Sequence, residues 1–239
     1  MGGAFSGVAG VADSAGRLEW FMPNRSERVD IAEASQFHPW DAMAPAALEA
    51  IERRGPFVAT AETGCGGSTI LLSRESGLHT VFAIEGVDRT ISNLRQHPQL
   101  RGEAVTFVEG ETKNTLPAHH FSSPLDLVLL DGPHAYPLPQ VEFAYLFPRV
   151  KPGGWIVLDD IQIPSVHALF QFLRAESSVL LEEVCVRTAF FRKVADPKPE
   201  PDGWQKQGIN RGLVLRYSWR DRLRAVVPAI LKKKARIGL

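Results

Sequence analysis

One short stretch, Glu62-Thr63-Gly64-Cys65-Gly66-Gly67-Ser68-Thr69, lies between two apolar runs. The first run covers residues 57–61, the second covers residues 70–72, and Gly77 follows where a helix would end. This order predicts a strand, a glycine turn and a helix. Glycine lets the backbone reverse sharply and approach a ligand, and the N–H groups of the next helix face the same ligand. A tight strand-to-helix turn without a ligand has the same pattern, so the turn alone does not decide a function.

An acid follows the second predicted strand. Residues 80–84 read as that strand, and Glu85 ends it about 20 residues after the first glycine, where Rossmann-type folds place an acid against ribose hydroxyls. A carboxylate has two acceptor oxygens and can take both hydroxyls of a ribose diol. The third glycine or alanine of the dinucleotide fingerprint is replaced by Thr69. The ligand is therefore predicted to contain a ribose, but it need not contain a pyrophosphate.

The pattern Glu62-x-Gly64-x-Gly66 followed by Glu85 resembles the first two motifs of class I S-adenosylmethionine-dependent methyltransferases. The resemblance extends from about residue 57 to about residue 193. It implies that S-adenosylmethionine is the cofactor, with the glycine turn at its methionine part and the acid at its ribose. The implied cofactor-binding residues are Glu62, Gly64, Cys65, Gly66, Ser68, Glu85, Glu111 or its neighbour Thr112, and Asp131.

The composition bounds the class of protein. The chain has 239 residues with 27 basic and 27 acidic side chains, so no global charge favours nucleic acid. Its two cysteines, Cys65 and Cys185, make no disulfide framework, which favours a reducing, cytoplasmic location. We find no signal peptide and no apolar stretch of about 20 residues that would predict a membrane span.

The order of predicted elements indicates an α/β fold. Together with the resemblance it implies a Rossmann-like, doubly wound, mostly parallel seven-stranded sheet with an antiparallel C-terminal strand and an N-terminal helical lid. We divide the chain into a lid at 1–50, a methyltransferase domain at 51–195, and a C-terminal loop and basic tail at 196–239. Predicted helices cover residues 42–54, 138–147 and 163–174. Predicted third, fourth and fifth strands cover residues 104–108, 125–130 and 155–158, the last after a turn at 151–154.

The closing strands have two interpretations. Residues 180–194 are rich in β-branched and aromatic residues and predict a hairpin, although its turn would fall on Val186-Arg187, which are poor turn residues. Alternatively, residues 212–217 form the final strand.

Three aspartates follow the fourth and fifth strands. Asp131 ends the fourth strand, and Asp159 and Asp160 end the fifth. Because ligands bind at the carboxyl ends of parallel strands, these side chains should converge there. Carboxylates that lie close together repel one another unless a proton or a cation intervenes, and Mg²⁺ prefers oxygen ligands. The sequence therefore predicts a metal site, unless the aspartates only cap helices or bind cofactor-associated water.

A second resemblance narrows the activity. Metal-dependent O-methyltransferases have an acid after the fourth strand and an acidic pair after the fifth, and Asp131-Gly132-x-His134-x-Tyr136 is similar to their sugar- and macrolide-modifying branch. This resemblance implies Mg²⁺ or a similar cation, with Asp131 and His134 as catalytic residues and His134 as the base. A cation bound to two adjacent acceptor oxygens would lower the hydroxyl pKa, so the implied acceptor is a sugar-containing small molecule with a vicinal diol or a similar chelating pair.

Two other functions stay open at this level. An NAD-linked oxidoreductase would use the same turn and Glu85, although Thr69 and the aspartates argue against it. A non-catalytic scaffold protein could keep the cofactor pocket, although the full set of acids and His134 argues against a loss of catalytic activity. A homo-oligomer is compatible with either.

The C-terminal residues 219–239 are strongly basic. Seven basic residues face the single acid Asp221, and apolar residues recur at helical spacing. This pattern predicts a helix packed on its own domain or on another subunit, or alternatively an anchor for anionic lipid.

Overall fold

A computed structural model of the chain describes residues 43–86 and 89–196, the backbone of residues 11–12 and 18–19, and the single positions 207 and 209. Helices and strands alternate along the two long ranges. In chain order they are α1 (Pro45–Arg54), β1 (Phe57–Thr63), α2 (Gly67–Glu75), β2 (Ser76–Ala83), α3 (Thr90–Arg95), β3 (Val105–Glu109), α4 (Thr112–Ala118), β4 (Leu125–Leu130), α5 (Leu138–Leu146), β5 (Val150–Leu158), α6 (Pro164–Ala175), β6 (Val179–Cys185) and β7 (Thr188–Lys193). Short 3₁₀ turns precede β3 and β5, at Gly102–Ala104 and Phe147–Arg149.

Strands β1 to β7 form one sheet in the order β3-β2-β1-β4-β5-β7-β6. The first five are parallel, and β7 runs antiparallel between β5 and β6. This arrangement confirms the predicted fold class. Because the strand order reverses between β1 and β4, the carboxyl ends of these two strands border the crevice where open α/β sheets bind ligands.

Helices cover both faces of the sheet. All six residues of β4 are buried, with Leu127 and Leu129 in the core beneath α1 and α2, and Val128 and Leu130 in the core beneath α5 and α6. A strand covered on both faces reads as a continuous apolar run, so its predicted bounds agree with the structure. This rigid centre holds the loops after β1 and β4 in place.

Several predicted boundaries differ from the structure, and the second strand, predicted at residues 80–84, is Ser76–Ala83. Helix α1 begins at Pro45 rather than at residue 42, because the proline restricts Ala44 to an extended conformation, with ψ 138°. Gly77 does not end a helix: α2 ends at Glu75, β2 begins at once, and Gly77 lies inside the strand. Residues 151–154 are not a separate turn, since they form an irregular part of β5 where its pairing with β4 shifts register.

The predicted hairpin is confirmed. Strands β6 and β7 pair antiparallel and are joined by the two residues Val186 and Arg187. The alternative final strand at 212–217, the lid before residue 43 and the basic tail at 219–239 lie outside the described residues. In the parts of the chain that the structure describes, no helix is both long and apolar enough to cross a membrane.

Candidate active site

A cavity of about 330 Å³ opens at the carboxyl ends of the central strands. Its lining comes from the segments that follow four neighbouring strands: Gly64 and Cys65 after β1, Ile84 and Gly86 after β2, Gly110 and Thr112 after β3, and Gly132 and Pro133 after β4. The volume is in the range of small-molecule sites. The cavity therefore lies where the sequence predicted a cofactor.

The glycine turn is shaped by close backbone packing. Gly64 has φ +83°, and a Cβ built on it would lie 2.2 Å from the carbonyl oxygen of Asp131. Only a residue without a side chain allows the loops after β1 and β4 to approach this closely. Gly66 immediately precedes helix α2 in an extended conformation, with φ 173°, and its N–H donates to Thr69 Oγ1.

Glu62 stabilises the glycine turn through hydrogen bonds to the first residues of α2. Its carboxylate is 1% exposed and accepts hydrogen bonds from Ser68 Oγ, at 2.8 Å, and from Thr69 Oγ1. The imidazole of His79 on β2 lies 3.2 Å from the same carboxylate. Glu62 and Ser68 were predicted to bind the cofactor, but their polar groups are turned to each other and lie outside the cavity lining. They hold the turn rather than line the site.

Glu85 lies just beyond β2 and caps the next helix. Its carboxylate accepts from the backbone N–H groups of Ile91, at 3.2 Å, and Ser92, at 2.9 Å, and from Ser92 Oγ. Each carboxylate oxygen can accept two hydrogen bonds. Oε1 accepts one, from the Ile91 N–H, so it can accept a second from a ligand. Contact between Glu85 and a ribose therefore stays a prediction.

The two polar candidates after β3 separate in the structure. Glu111 is exposed and pairs with Lys113 Nζ at 2.8 Å, and this contact lowers the pKa of its carboxyl. Thr112 is buried and lines the cavity. Of the two candidates, only Thr112 lines the cavity, because α4 begins at Thr112 and turns that residue inward, and contact between Glu111 and the cofactor stays a prediction.

Asp131, His134 and Asp160 come together beside the cavity. His134 Nε2 lies 3.7 Å from Asp131 Oδ1 and 3.5 Å from Asp160 Oδ2, and one ligand atom from each residue lies within 4.8 Å of the others. The imidazole nitrogen is buried and has no hydrogen-bond partner at these distances. Ser165 Oγ donates to the His134 carbonyl and fixes the loop to helix α6. Two carboxylates and an imidazole form a donor set that fits a divalent cation.

Asp159 is held differently from the predicted metal set. Its Oδ1 accepts from Thr188 Oγ1 at 2.5 Å, and its side chain is 1% exposed. Of the predicted trio, Asp131 and Asp160 lie in the cluster together with His134, whereas Asp159 lies beside it, so Asp159 as a metal ligand stays a prediction. The position of Asp159 follows from Thr188, which begins β7 beside the end of β5 and draws Asp159 away.

The side chain of Arg187 lies beside the two acids at the end of β5, Asp159 and Asp160. Arg187 Nε lies 2.9 Å from Asp160 Oδ1 and 4.0 Å from Asp159 Oδ2. Asp160 itself has φ 54°, a left-handed conformation that aspartate tolerates better than most residues. Its two oxygens therefore face different partners, Arg187 on one side and His134 on the other.

The electrostatics of the cluster follow from burial and crowding. The pKa of the Asp131 carboxyl is raised to about 7, mainly by burial and also by the neighbouring Asp159 and Asp160, while His134 opposes the rise. Burial also raises the pKa of Asp159. The Asp131 side chain beside it raises the pKa of His134 above its ordinary value. The raised pKa values of the acids, the nearby imidazole of His134 and the guanidinium of Arg187 thus all lower the repulsion that the sequence predicted among the acids.

The sequence of this region matches a known family. Residues 61–161, from β1 to just beyond β5, match the model of a methyltransferase domain. These residues form a class I S-adenosylmethionine-dependent methyltransferase domain. The resemblance predicted from the glycine turn and Glu85 is confirmed, and the NAD-linked alternative is set aside.

Solved structures share the fold of this methyltransferase domain. The O-methyltransferase TomG from Streptomyces achromogenes, solved with S-adenosylmethionine, is 17% identical with a TM-score of 0.58, covering 74% of this chain and 93% of TomG. Cofactor-bound Rv0187 from MTB is 16% identical with a TM-score of 0.55, covering 70% and 87% of the two chains. MycE of the mycinamycin pathway, solved with Mg, S-adenosylhomocysteine and mycinamycin VI, is 18% identical with a TM-score of 0.50, covering 75% and 58%. No curated protein matches the chain by sequence.

Sequence reasoning missed two groups of the methyltransferase site. Arg187 and Thr188 come from the hairpin, and a strand order that puts β7 beside β5 would have placed both at the end of β5. Glu142 comes from the middle of α5, where an acid on a buried helix face was the available signal.

Proposed function

We propose that this domain transfers the methyl group of S-adenosylmethionine to a hydroxyl of a sugar or a glycosylated small molecule, with the help of a divalent cation such as Mg²⁺. The observation that carries the proposal is the convergence of Asp131, His134 and Asp160 directly beside the cofactor cavity. TomG, an O-methyltransferase, supports O-methylation as the reaction class, and the MycE complex with Mg and mycinamycin VI supports the cation and a small-molecule acceptor.

Methyl transfer is an in-line displacement. The acceptor oxygen forms a bond to the methyl carbon, the carbon–sulfur bond breaks, and the electron pair stays on sulfur to give S-adenosylhomocysteine. The hydroxyl proton must leave for the oxygen to be an effective nucleophile. His134 Nε2 makes no hydrogen bond of ordinary length, and the carboxylates of Asp131 and Asp160 would stabilise the imidazolium that forms, so this nitrogen is the candidate acceptor for the proton. The geometry of the loops supplies much of the rate by positioning the two reactants.

The cation would be held by Asp131 and Asp160, with His134 or Asp159 as further ligands. His134 Nε2 in the cluster faces two carboxylates beyond hydrogen-bond length, and Asp159 Oδ2 beside the cluster is buried without a hydrogen-bond partner, so both atoms could bind a cation. A bound cation would lower the pKa of an acceptor hydroxyl and orient it. The base and ligand roles of His134 Nε2 exclude each other, which makes the role of this nitrogen testable.

The acceptor class rests on the loop sequence and on chelation. Asp131-Gly132-x-His134-x-Tyr136 is similar to the sugar-modifying branch, and a cation held by two carboxylates retains positions for two neighbouring acceptor oxygens. A vicinal diol supplies such a pair. An acceptor with an isolated hydroxyl should therefore react poorly.

The experiment is a turnover assay with a panel of acceptors. Purified protein is incubated with S-adenosylmethionine and sugars or glycosides that differ only in a vicinal diol, and S-adenosylhomocysteine and the methylated product are measured by mass spectrometry. The same assay is repeated after exhaustive EDTA treatment and after return of Mg²⁺ or Mn²⁺. We expect product from diols alone, loss of turnover with EDTA, and retained binding of S-adenosylhomocysteine.

Full activity in EDTA would remove the cation from the proposal and leave the aspartates as structural or cofactor-contacting groups. A protein that binds S-adenosylmethionine yet forms no S-adenosylhomocysteine with any acceptor would favour the scaffold function instead.

A further inference from the structure

Glu142 is a buried acid that the proposed reaction does not use. Its side chain lies on helix α5, is 1% exposed, and accepts a hydrogen bond at Oε2 from Thr63 Oγ1 at 2.8 Å. Its other oxygen, Oε1, is buried without a partner in good hydrogen-bond geometry, as is Thr112 Oγ1. Burying a carboxyl group that is only partly satisfied costs free energy, so its presence at this position needs a reason.

The carboxyl group of Glu142 is packed against the loops that form the cofactor cavity. Thr63 is the last residue of β1 and directly precedes Gly64, which lines the cavity. A Cβ built on Gly132 would lie 2.6 Å from Glu142 Oε1, so the carboxyl lies directly on the loop after β4. Thr112, which also lines the cavity, opposes through its hydroxyl the rise that burial causes in the pKa of Glu142.

These contacts join parts of the site that are far apart in sequence. The turn after β1 and the start of α4 border the cavity, whereas the loop after β4 carries both the cavity residue Gly132 and the cluster residues Asp131 and His134. Helix α5 follows this loop and carries Glu142 on its buried face. A displacement of the Glu142 carboxyl would therefore move both the lining of the cavity and the loop after β4 that carries Asp131 and His134.

We propose that Glu142 is a positioning residue. It keeps the cofactor cavity and the loop that carries Asp131 and His134 in fixed positions relative to each other. It acts through its hydrogen bond to Thr63 and its packing on Gly132, and it does not touch the reacting atoms. This inference rests on the proposed function, because it assigns the cavity to the adenosyl cofactor and the loop to the acceptor.

The test compares matched variants by calorimetric titration with S-adenosylhomocysteine and by steady-state kinetics. Glu142→Ala removes the carboxyl, Glu142→Gln keeps its shape and its acceptor oxygen, and Thr63→Val removes the hydroxyl donor alone. Asp126→Ala is the control, because Asp126 is a buried acid at the other end of β4 that accepts from the N–H groups of Val58 and Ala59. Chemical unfolding of each variant separates lost stability from lost binding.

We expect Glu142→Ala to weaken S-adenosylhomocysteine binding by about tenfold or more and to lower kcat, the scale of one lost buried hydrogen bond. Glu142→Gln should restore binding to within about threefold of the wild type, since it can still accept from Thr63. Asp126→Ala should lose stability while it keeps its affinity. The effects of Thr63→Val and Glu142→Ala should not add, because both remove the same contact.

The inference is overturned if Glu142→Ala loses stability as Asp126→Ala does but binds S-adenosylhomocysteine like the wild type. If Glu142→Ala does not fold, Thr63→Val decides the question, and normal affinity in that variant overturns the inference. Wild-type protein that binds no S-adenosylhomocysteine would instead overturn the proposed function itself, so the two failures are distinguishable.

Discussion

Arg187 Nε lies 2.9 Å from Asp160 Oδ1, which brings a cation from the β6–β7 turn to the acidic end of β5. The Arg187 carbonyl also accepts from Ile161 N–H at 3.0 Å, so the backbone of the turn is fixed to the loop that carries Asp160. A guanidinium at this distance offsets part of the negative charge of Asp160, and this weakens the attraction of Asp160 for a divalent cation. Arg187 and the proposed cation therefore act on the same carboxylate.

Removing this guanidinium should strengthen cation binding. Arg187→Met keeps the length of the side chain but removes its charge, and we expect Mn²⁺ affinity to rise by about tenfold, the size of a charge–charge interaction at a partly exposed site. Calorimetry or Mn²⁺ relaxation measures the affinity. Arg192→Met is the matched control, because Arg192 lies on the same hairpin and pairs with Glu182. Unchanged or weaker Mn²⁺ binding in Arg187→Met would contradict the shared-carboxylate interpretation.

His134→Ala should lower kcat by roughly 10²–10⁴-fold if the imidazole accepts the hydroxyl proton. In that case binding of S-adenosylhomocysteine and of Mn²⁺ should stay intact, since a base is not a ligand. His167→Ala, on the exposed face of α6, serves as the control histidine. Loss of Mn²⁺ affinity together with kcat would assign His134 to the cation instead. A kcat within a few-fold of the wild type would exclude both roles.

Glu85→Ala should weaken S-adenosylmethionine binding by roughly 1–3 kcal/mol, the scale of a lost hydrogen bond to a charged group. The variant also loses the cap of α3, so its free energy of unfolding should fall. Ser92→Ala separates the two effects, because it removes the hydroxyl bond to the same carboxylate and leaves the acid in place. Calorimetric titration of both variants is the measurement. Equal affinity in folded Glu85→Ala and wild-type protein would place the ribose elsewhere.

Glu142 should also make stability depend on pH. Burial raises the pKa of its carboxyl from 4.5 to about 7 in the folded protein. Between these values the folded state keeps a proton that the unfolded state has lost, so the free energy of unfolding falls as pH rises through this interval. Below the lower value both states are protonated and the effect vanishes.

Glu142→Gln removes this titration, so its free energy of unfolding relative to wild type should rise between about pH 5 and pH 7. Urea unfolding of both proteins across this range measures the difference, and the titration of Asp131, which both share, largely cancels. A difference that does not change with pH would mean that Glu142 titrates normally.

The fold and the site can be predicted from the sequence where the hydrophobic pattern and the strand order indicate the same structure. The bounds of β4 follow from its burial on both faces, and Asp131 and Asp160 converge because parallel strands end at one edge of a sheet. The start of α1 depended on Pro45, whose local effect outweighs the good helix formers before it. Gly77 misled because a glycine after a helix reads as a terminator, while α2 passes into β2 without a loop.

The missed residues reach the site through tertiary structure. Arg187 and Thr188 belong to a hairpin whose turn residues looked unfavourable, and Val186 does adopt φ 57°, an uncommon value for a β-branched residue. The contact of the turn with the loop after β5 holds it there. Glu142 lies in a helix that reads as ordinary, and its contact with Thr63 spans 79 residues of sequence. No local pattern encodes a contact of this kind.

The glycine turn offers a sharp final test, because two of its glycines have different constraints. Gly64→Ala would place a Cβ 2.2 Å from the Asp131 carbonyl at φ +83°, so we expect a loss of more than about 2 kcal/mol in the free energy of unfolding and weaker S-adenosylhomocysteine binding. Gly66→Ala meets nothing within 4 Å and has extended backbone, so its stability should stay within about 0.5 kcal/mol of wild type. Chemical unfolding and calorimetry check both variants. Equal stability of the two would show that the loops after β1 and β4 do not pack as closely as their backbones indicate.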